Sequence, residues 1–300
     1  MDQLKDRVAI VTGAGRGIGR EHALLFAAEG AKVVVNDLGG AADGSGSDSS
    51  AADLVVAEIR SRGGTAVASG EDVTDAAGAE RLVAQAVETY GGLDVLINNA
   101  GILRDRMIVN MSDKEWDDII RVHLRGHFMP TRAAARYWRA QAKAARPVHA
   151  AIVNTTSTSG LFNNPGQANY GAAKTGLTSL TIIADKELGR YGVRANAIAP
   201  AARTRLTLAN PNASDATLTT PADGFDPMDA ANISPFVAYL ATADCPIRGR
   251  VFFVKGGEVH LFRPFAVVDA ITKDGKWTIE ELREHAPRFA TFEFDLRKPY

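Results

Sequence analysis

The segment Thr12-Gly13-Ala14-Gly15-Arg16-Gly17-Ile18-Gly19 lies directly between a short apolar run, Val8 to Val11, and an amphipathic stretch that continues to about Glu29. Few architectures place so many glycines between a strand and a helix. The glycines permit a tight turn and let the backbone approach a diphosphate, while the helix N-terminus offers its free N–H groups. Such a turn can also serve only to pack helix on strand, and it is the strand–turn–helix setting that favours the phosphate reading. Gly13, Arg16, Gly17, Ile18 and Gly19 are the candidate contacts.

The pattern then repeats. Apolar runs at Lys32–Asn36, Thr65–Ala68, Asp94–Ile97, Ala150–Val153, Val193–Ile198 and Val251–Val254 alternate with helical stretches near 51–61, 76–90, 168–190 and 232–242. Gly30 suits the left-handed position after the first helix. Ser112 and Glu115 form a capping box opening a long helix, with a bend expected at Pro130. This alternation predicts an α/β fold, a doubly wound parallel sheet of Rossmann type with helices on both faces. Residues 1–261 are expected to form one catalytic domain and 262–300 an extension with an amphipathic stretch at Thr278 to His285. The Gly/Ser/Asp-rich 38–50 is a loop, and 201–229, too long for an ordinary connection, is expected to be a lid with short helices.

Charge narrows the partners. Thirty-four basic against thirty-five acidic residues give a net charge of -1, which makes no case for nucleic acid or an anionic membrane. The single cysteine, Cys245, excludes an internal disulfide framework and reads as a small buried residue. The first residues carry no secretory signature and no run reaches membrane-spanning length, so a cytoplasmic location is expected. No metal site is expected.

Asp37 ends the second strand, 18 residues after Gly19. A carboxylate there accepts hydrogen bonds from a ribose 2′-hydroxyl and repels a 2′-phosphate, which favours NAD over NADP. An Asn-Asp turn before Gly39-Gly40 is the plainer alternative, and Arg16 is the counter-argument for NADP.

Tyr170 and Lys174 stand one helical turn apart on one face. Tyrosine has an ordinary pKa near 10, and a nearby cation is expected to pull it down so that the phenol can exchange a proton with a substrate oxygen. Ser157 follows the strand ending at Asn154, where ligands bind in such a sheet. Hydroxyls at 155, 156, 158 and 159 crowd the same stretch.

Taken in order, TGAGRGIG, the NNAG of Asn98 to Gly101, Ser157 and Tyr170-x-x-x-Lys174 resemble the short-chain dehydrogenase/reductase family over about residues 5–260. The resemblance implies that Tyr170 is the acid/base, that Lys174 orients the nicotinamide ribose and that Ser157 positions the carbonyl. It implies too that Asn99, Ala100 and Gly101 wall the cofactor pocket, and that Asp72 and Val73 contact the adenine. A loop or cap carboxylate is the alternative for Asp72. Where the family usually has an asparagine that holds a proton-relay water, this chain has His123, which is either a substitute relay or a structural histidine.

Narrower features, NDLGG, RDRM at 104–107, VHLRG at 122–126 and GQANYGAAK at 166–174, resemble the (3R)-hydroxyacyl-CoA dehydrogenase branch of the peroxisomal multifunctional enzymes of type 2 and free-standing bacterial relatives. That resemblance implies oxidation of a 3-hydroxyacyl-CoA, fatty acyl or steroid-derived, by a homodimer or homotetramer. Arg104, Arg106, Arg203 and Arg205 are candidate contacts for CoA phosphates or simply solvated surface residues. The competing readings are a hydroxysteroid dehydrogenase, a 3-oxoacyl reductase, and a non-catalytic NAD-binding scaffold.

Overall fold

The computed structural model describes residues 2–41, 43–46, 50–208, 219–221, 224–263 and 267–290. Strands β1 (Val8–Thr12), β2 (Lys32–Asn36), β3 (Thr65–Ser69), β4 (Val95–Asn98), β5 (Ala150–Thr155), β6 (Val193–Pro200), β7 (Val251–Lys255) and β8 (Glu258–Phe262) form one sheet in the order β3-β2-β1-β4-β5-β6-β7-β8. The pairs from β3 through β7 are parallel. The order reverses between β1 and β4, and in such sheets the crevice outside the carboxyl ends at that point receives ligands.

Alternation along β1 explains the two-sided burial. Ala9 and Val11 pack with Val33, Val35 and the helix α1 (Gly17–Ala28). Val8 and Ile10 face the opposite layer with Leu82 of α3 (Ala76–Tyr90) and Trp138 of α5 (Gly126–Lys143). Both faces of the strand are covered, so its sequence is apolar throughout. At the end of α1, Gly30 has φ +88°, its N–H bonds Ala27 and the next N–H, of Ala31, bonds Phe26, closing the helix with the expected left-handed residue. Helix α2 (Ser50–Ser61) lies on the face of α1.

The long helix differs from expectation. Helix α4 (Asp113–Ile119) does open on the Ser112/Glu115 capping box. The irregularity, however, is a π-helical segment, Ile120–Arg125, and Pro130 sits within the regular α5. The widened turn lies upstream of the proline. It carries His123, and π segments of this kind commonly mark functional positions. Strand β8 is a second departure: its side chains are largely exposed and its sequence lacks the apolar run of a buried strand.

Helices α6 (Ser159–Phe162) and α7 (Ala168–Leu188) follow β5, and the short α8 (Arg205–Leu208) follows β6. The candidate lid is described only outside 209–218 and 222–223. Its described base is held by Arg203, whose N–H donates to Met228 O at 2.6 Å and whose guanidinium pairs with Asp226 at 2.5 Å. The tip of the 38–50 loop at 42 and 47–49, like the C-terminal residues 291–300, lies outside the described residues.

The chain divides into two compact units, Met1–Leu261 and Phe262–Tyr300. In the second, a capping box of Thr278 and Glu281 opens the helix Ile279–His285, and Lys273 reaches Glu281 at 2.6 Å.

Candidate active site

The glycine loop leaves β1 and enters α1 within five residues. Gly13 has φ +63°, and a Cβ there would lie 2.7 Å from Ala100 Cα, so no other residue fits without displacing the backbone. Gly17, Ile18 and Gly19 open α1. Arg16 occupies its N-cap in extended conformation and gives no side-chain cap, which leaves the helix N–H groups for another acceptor.

The loop after β4 is sewn to this turn. Thr12 Oγ1 accepts from the N–H groups of Asn99 at 3.0 Å and Ala100 at 3.2 Å, and Asn99 Nδ2 donates to the carbonyls of Thr12 and Gly13. Asn99 and Ala100 therefore hold the shape of the glycine loop as well as bordering the crevice. Asp37 also faces it. Its Oδ2 accepts from Gly15 N–H at 2.8 Å and its Oδ1 from Gly39 N–H at 2.6 Å, which fixes the carboxylate beside the loop and satisfies the turn reading at the same time. The uncapped helix, the glycine cradle and the fixed carboxylate are a donor and acceptor set that fits a dinucleotide's diphosphate and ribose. Asp72 accepts from Thr74 N–H at 2.8 Å, as a loop-capping carboxylate does, and Val73 is buried beside it.

At the carboxyl end of β5, Ser157 Oγ accepts from Ser159 N–H at 3.1 Å. Helix α7 brings Tyr170 and Lys174 opposite. Lys174 is almost fully buried, its Nζ donates to Thr155 O at 2.5 Å, and it lies 5.6 Å from the centroid of the Tyr170 ring. Burial pulls the Lys174 ammonium down to about 7. The phenol departs from expectation: burial pushes Tyr170 up to about 12, the Ser157 hydroxyl opposes this through a hydrogen bond, and the Asp105 carboxylate adds to it. The protein alone thus holds Tyr170 protonated. Burial sets the direction, and the Lys174 ammonium donates to Thr155 O rather than to the phenol.

His123 stands behind the phenol, its ring edge-on at 4.9 Å between centroids and 88° between planes. Its Nε2 lies 2.7 Å from Ile102 O and 3.1 Å from Ile102 N. A Cβ on Gly101 would come within 2.6 Å of its Cε1, so the glycine makes room for the imidazole. Burial, then the Lys174 charge, keeps His123 well below its ordinary pKa and therefore neutral. Its Nδ1 has no partner among the described residues.

Two asparagines of the NNAG and GQANYGAAK motifs hold the frame of the site. Asn169 is fully buried and donates to the carbonyls of Arg104 and Glu115, pinning the start of α7 to α4. Asn98 bonds Asn154 across the strand ends at 2.8 Å. The four arginines considered for CoA are engaged within the chain: Arg104 with Asp118, Arg106 with Glu115, Arg203 with Asp226, and Arg205 with Gly40 O.

The profile of the short chain dehydrogenase family matches residues 7–214, the stretch that holds every group described above except the last lid contacts. The chain belongs to the short-chain dehydrogenase family. It is an oxidoreductase acting on CH–OH groups, and enzymes of this family use nicotinamide cofactors. It is 46% identical over 283 residues to the hydroxyacyl-CoA dehydrogenase ChsB1 of Mycobacterium tuberculosis, covering 93% of this chain and 87% of that protein. It is 41% identical to the peroxisomal multifunctional enzyme type 2 of Mus musculus, covering 95% of this chain and 37% of that much longer protein. A short chain dehydrogenase from Mycobacterium avium superposes with a TM-score of 0.84 at 47% identity, covering 96% of each chain. The sheet, its order and the two helical layers are thus those of the family. Among the described residues no helix is long and apolar enough to cross a membrane, and no cluster of His, Cys, Asp or Glu could hold a metal ion.

Proposed function

We propose that this dehydrogenase interconverts (3R)-3-hydroxyacyl-CoA and 3-oxoacyl-CoA esters, fatty acyl or steroid-derived, with NAD as its cofactor. The observation that supports the chemistry most is the meeting of Ser157, Tyr170 and Lys174 at the carboxyl end of β5, beside the glycine loop. The substrate class is supported by a relative named as a hydroxyacyl-CoA dehydrogenase that matches over nearly the whole chain.

In this reading Tyr170 takes the hydroxyl proton during oxidation and returns it during reduction. Ser157 Oγ hydrogen-bonds the same substrate oxygen and fixes its distance from the phenol. Lys174 orients the nicotinamide ribose. Gly13, Gly17, Ile18 and Gly19 would hold the diphosphate, Asp37 the adenosine ribose, Asp72 and Val73 the adenine, and Asn99, Ala100 and Gly101 the pocket wall. The cofactor supplies the hydride acceptor or donor and, when oxidised, a positive charge that favours phenolate. Neutral His123, with its unpartnered Nδ1, suits a relay of protons behind Tyr170.

NAD is preferred to NADP on electrostatic grounds. Asp37 is fixed beside the loop, and Arg20, the nearest cation along α1, is already paired with Glu21 and Glu58. Arg16 lines an adjoining cleft of about 360 Å³ together with Glu58, so a 2′-phosphate would meet carboxylates as well as a guanidinium.

The test follows NADH absorbance with 3-hydroxyacyl-CoAs, free hydroxysteroids and hydroxyacyl thioester mimics. Turnover of CoA esters over the others is the expected result. Reaction with free steroids alone rejects the CoA reading.

A further inference from the structure

The loop 70–75, between β3 and α3, is held from two sides. At its start Asn36 Nδ2, from the end of β2, donates to Glu71 O at 2.9 Å. Its far half is held from the π segment. Arg125 Nε donates to Thr74 O at 2.8 Å. Arg121 Nη1 donates to Thr74 Oγ1 at 3.1 Å and lies 4.0 Å from Asp72 Oδ2. Gly126 closes the contact. A Cβ there would lie 3.3 Å from Thr74 Cγ2 and 3.4 Å from Val73 Cγ2, so the start of α5 packs directly on the loop. Val73 and Thr74 are buried, although both arginines are exposed.

Arg121 and Arg125 stand one helical turn apart and share a face. His123, midway between them, turns the other way and meets the Tyr170 ring at 4.9 Å. The π segment therefore touches both the 70–75 loop and the candidate acid/base.

We propose that Arg125, backed by Arg121, is a positioning residue for the cofactor: by bonding Thr74 it holds Asp72 and Val73 where the adenine binds. This rests on the assignment of Asp72 and Val73 to the adenine. Asp72 Oδ1 accepts from Thr74 N–H at 2.8 Å, so a shift of Thr74 carries the carboxylate with it. A guanidinium on a carbonyl is a charge-assisted bond, stronger than a neutral one. A loop fixed before the nucleotide arrives spares the cost of ordering it on binding. Loosening the loop weakens the adenine end and leaves the chemistry at Tyr170 intact once the nucleotide is bound.

The experiment titrates NADH by nucleotide fluorescence and AMP by displacement of bound NADH. It also measures kcat at saturating NAD and 3-hydroxyacyl-CoA. The proteins are wild type, Arg125→Met, Arg125→Lys and Asp72→Ala, with thermal melts to confirm folding. Arg125→Met keeps much of the stem and removes the donors. Both Kd values should rise together by about fivefold or more, with kcat within about twofold of wild type. Arg125→Lys retains a charged donor and should recover a large part of both affinities. Unchanged Kd values in folded Arg125→Met, with both raised in Asp72→Ala, overturn the proposal and leave the adenine assignment standing. A fall in kcat at unchanged Kd values also overturns it, because the arginine then serves the phenol side of the segment. Unchanged Kd values in Asp72→Ala reject the adenine assignment and the proposal with it. If Arg125→Met proves unstable, Arg121→Met, which removes the donor to Thr74 Oγ1, is read by the same measurements.

Discussion

The imidazole of His123 packs edge-on against the Tyr170 phenol at 4.9 Å while its Nε2 engages the backbone of Ile102. One ring thus supports the candidate acid/base and the loop that follows β4. His123→Leu keeps the bulk and loses the polar contacts. Turnover is expected to fall about tenfold or more, with a stability loss of about 1–3 kcal/mol from the unpaired Ile102 backbone. His123→Asn should recover a large part of the activity. Full activity in His123→Leu would show that the ring is only packing.

Tyr170→Phe should lower kcat by about 10²–10⁴ while NAD binding, followed by nucleotide fluorescence, stays near wild type. The phenyl ring preserves the edge contact with His123, so a folding defect is not expected to account for the loss.

Asp37→Ala removes an acceptor of two backbone N–H groups and the proposed ribose partner. Hydrogen bonds to a charged group contribute about 1.5–3 kcal/mol, so NAD should bind about ten- to a hundredfold more weakly. NADP should be affected less. Titration of both nucleotides measures this, and an unaltered preference rejects the ribose assignment.

Gly101→Ala places a methyl group 2.6 Å from His123 Cε1. Overpacking of this kind costs about 1–3 kcal/mol. Thermal melts should fall, and the loss should shrink in the double variant with His123→Ala, which vacates the space.

Acid should weaken the fold through its buried histidines. His22, bonded to Ser234 at 2.8 Å, is held down to about 3 by burial against an ordinary value of 6.5. His123 and His127 are also held well below it. The unfolded chain binds more protons than the folded one as pH falls below 6.5, so stability drops through that window and levels off near the folded value. Melting temperature against pH should therefore slope less steeply in His22→Gln. An identical slope argues that other groups dominate.

The sheet and the glycine loop were readable because their causes are local. A strand buried on both faces is apolar at every position, and a turn that must touch another backbone shows its glycines. The spacing of Tyr170 and Lys174 is likewise a property of one helix. The π segment left no trace, because Ile120–Arg125 has an ordinary helical composition and the widening depends on what the chain packs against. Strand β8 was missed because its exposed edge residues follow no buried pattern. Asp105 and Gln167 meet across 62 residues, a pairing no local spacing announces. The direction of the Tyr170 shift was misread for a related reason: sequence shows the neighbouring cation, whereas burial emerges only when the layers close.

Thr12, at the end of β1, and Asn99, just past the end of β4, are bonded neighbours 87 residues apart in the chain. The bond between them forms only after β4 has inserted beside β1, with β2, β3 and their helices already looped out. A nascent chain that ends at β3 carries the whole glycine motif and lacks the scaffold that gives it a binding shape. Nucleotide competence is therefore a late acquisition in the folding history of this protein, reached by closing a long loop rather than by local zipping. A nucleotide added during refolding would deepen the well of the finished sheet without hastening its first half.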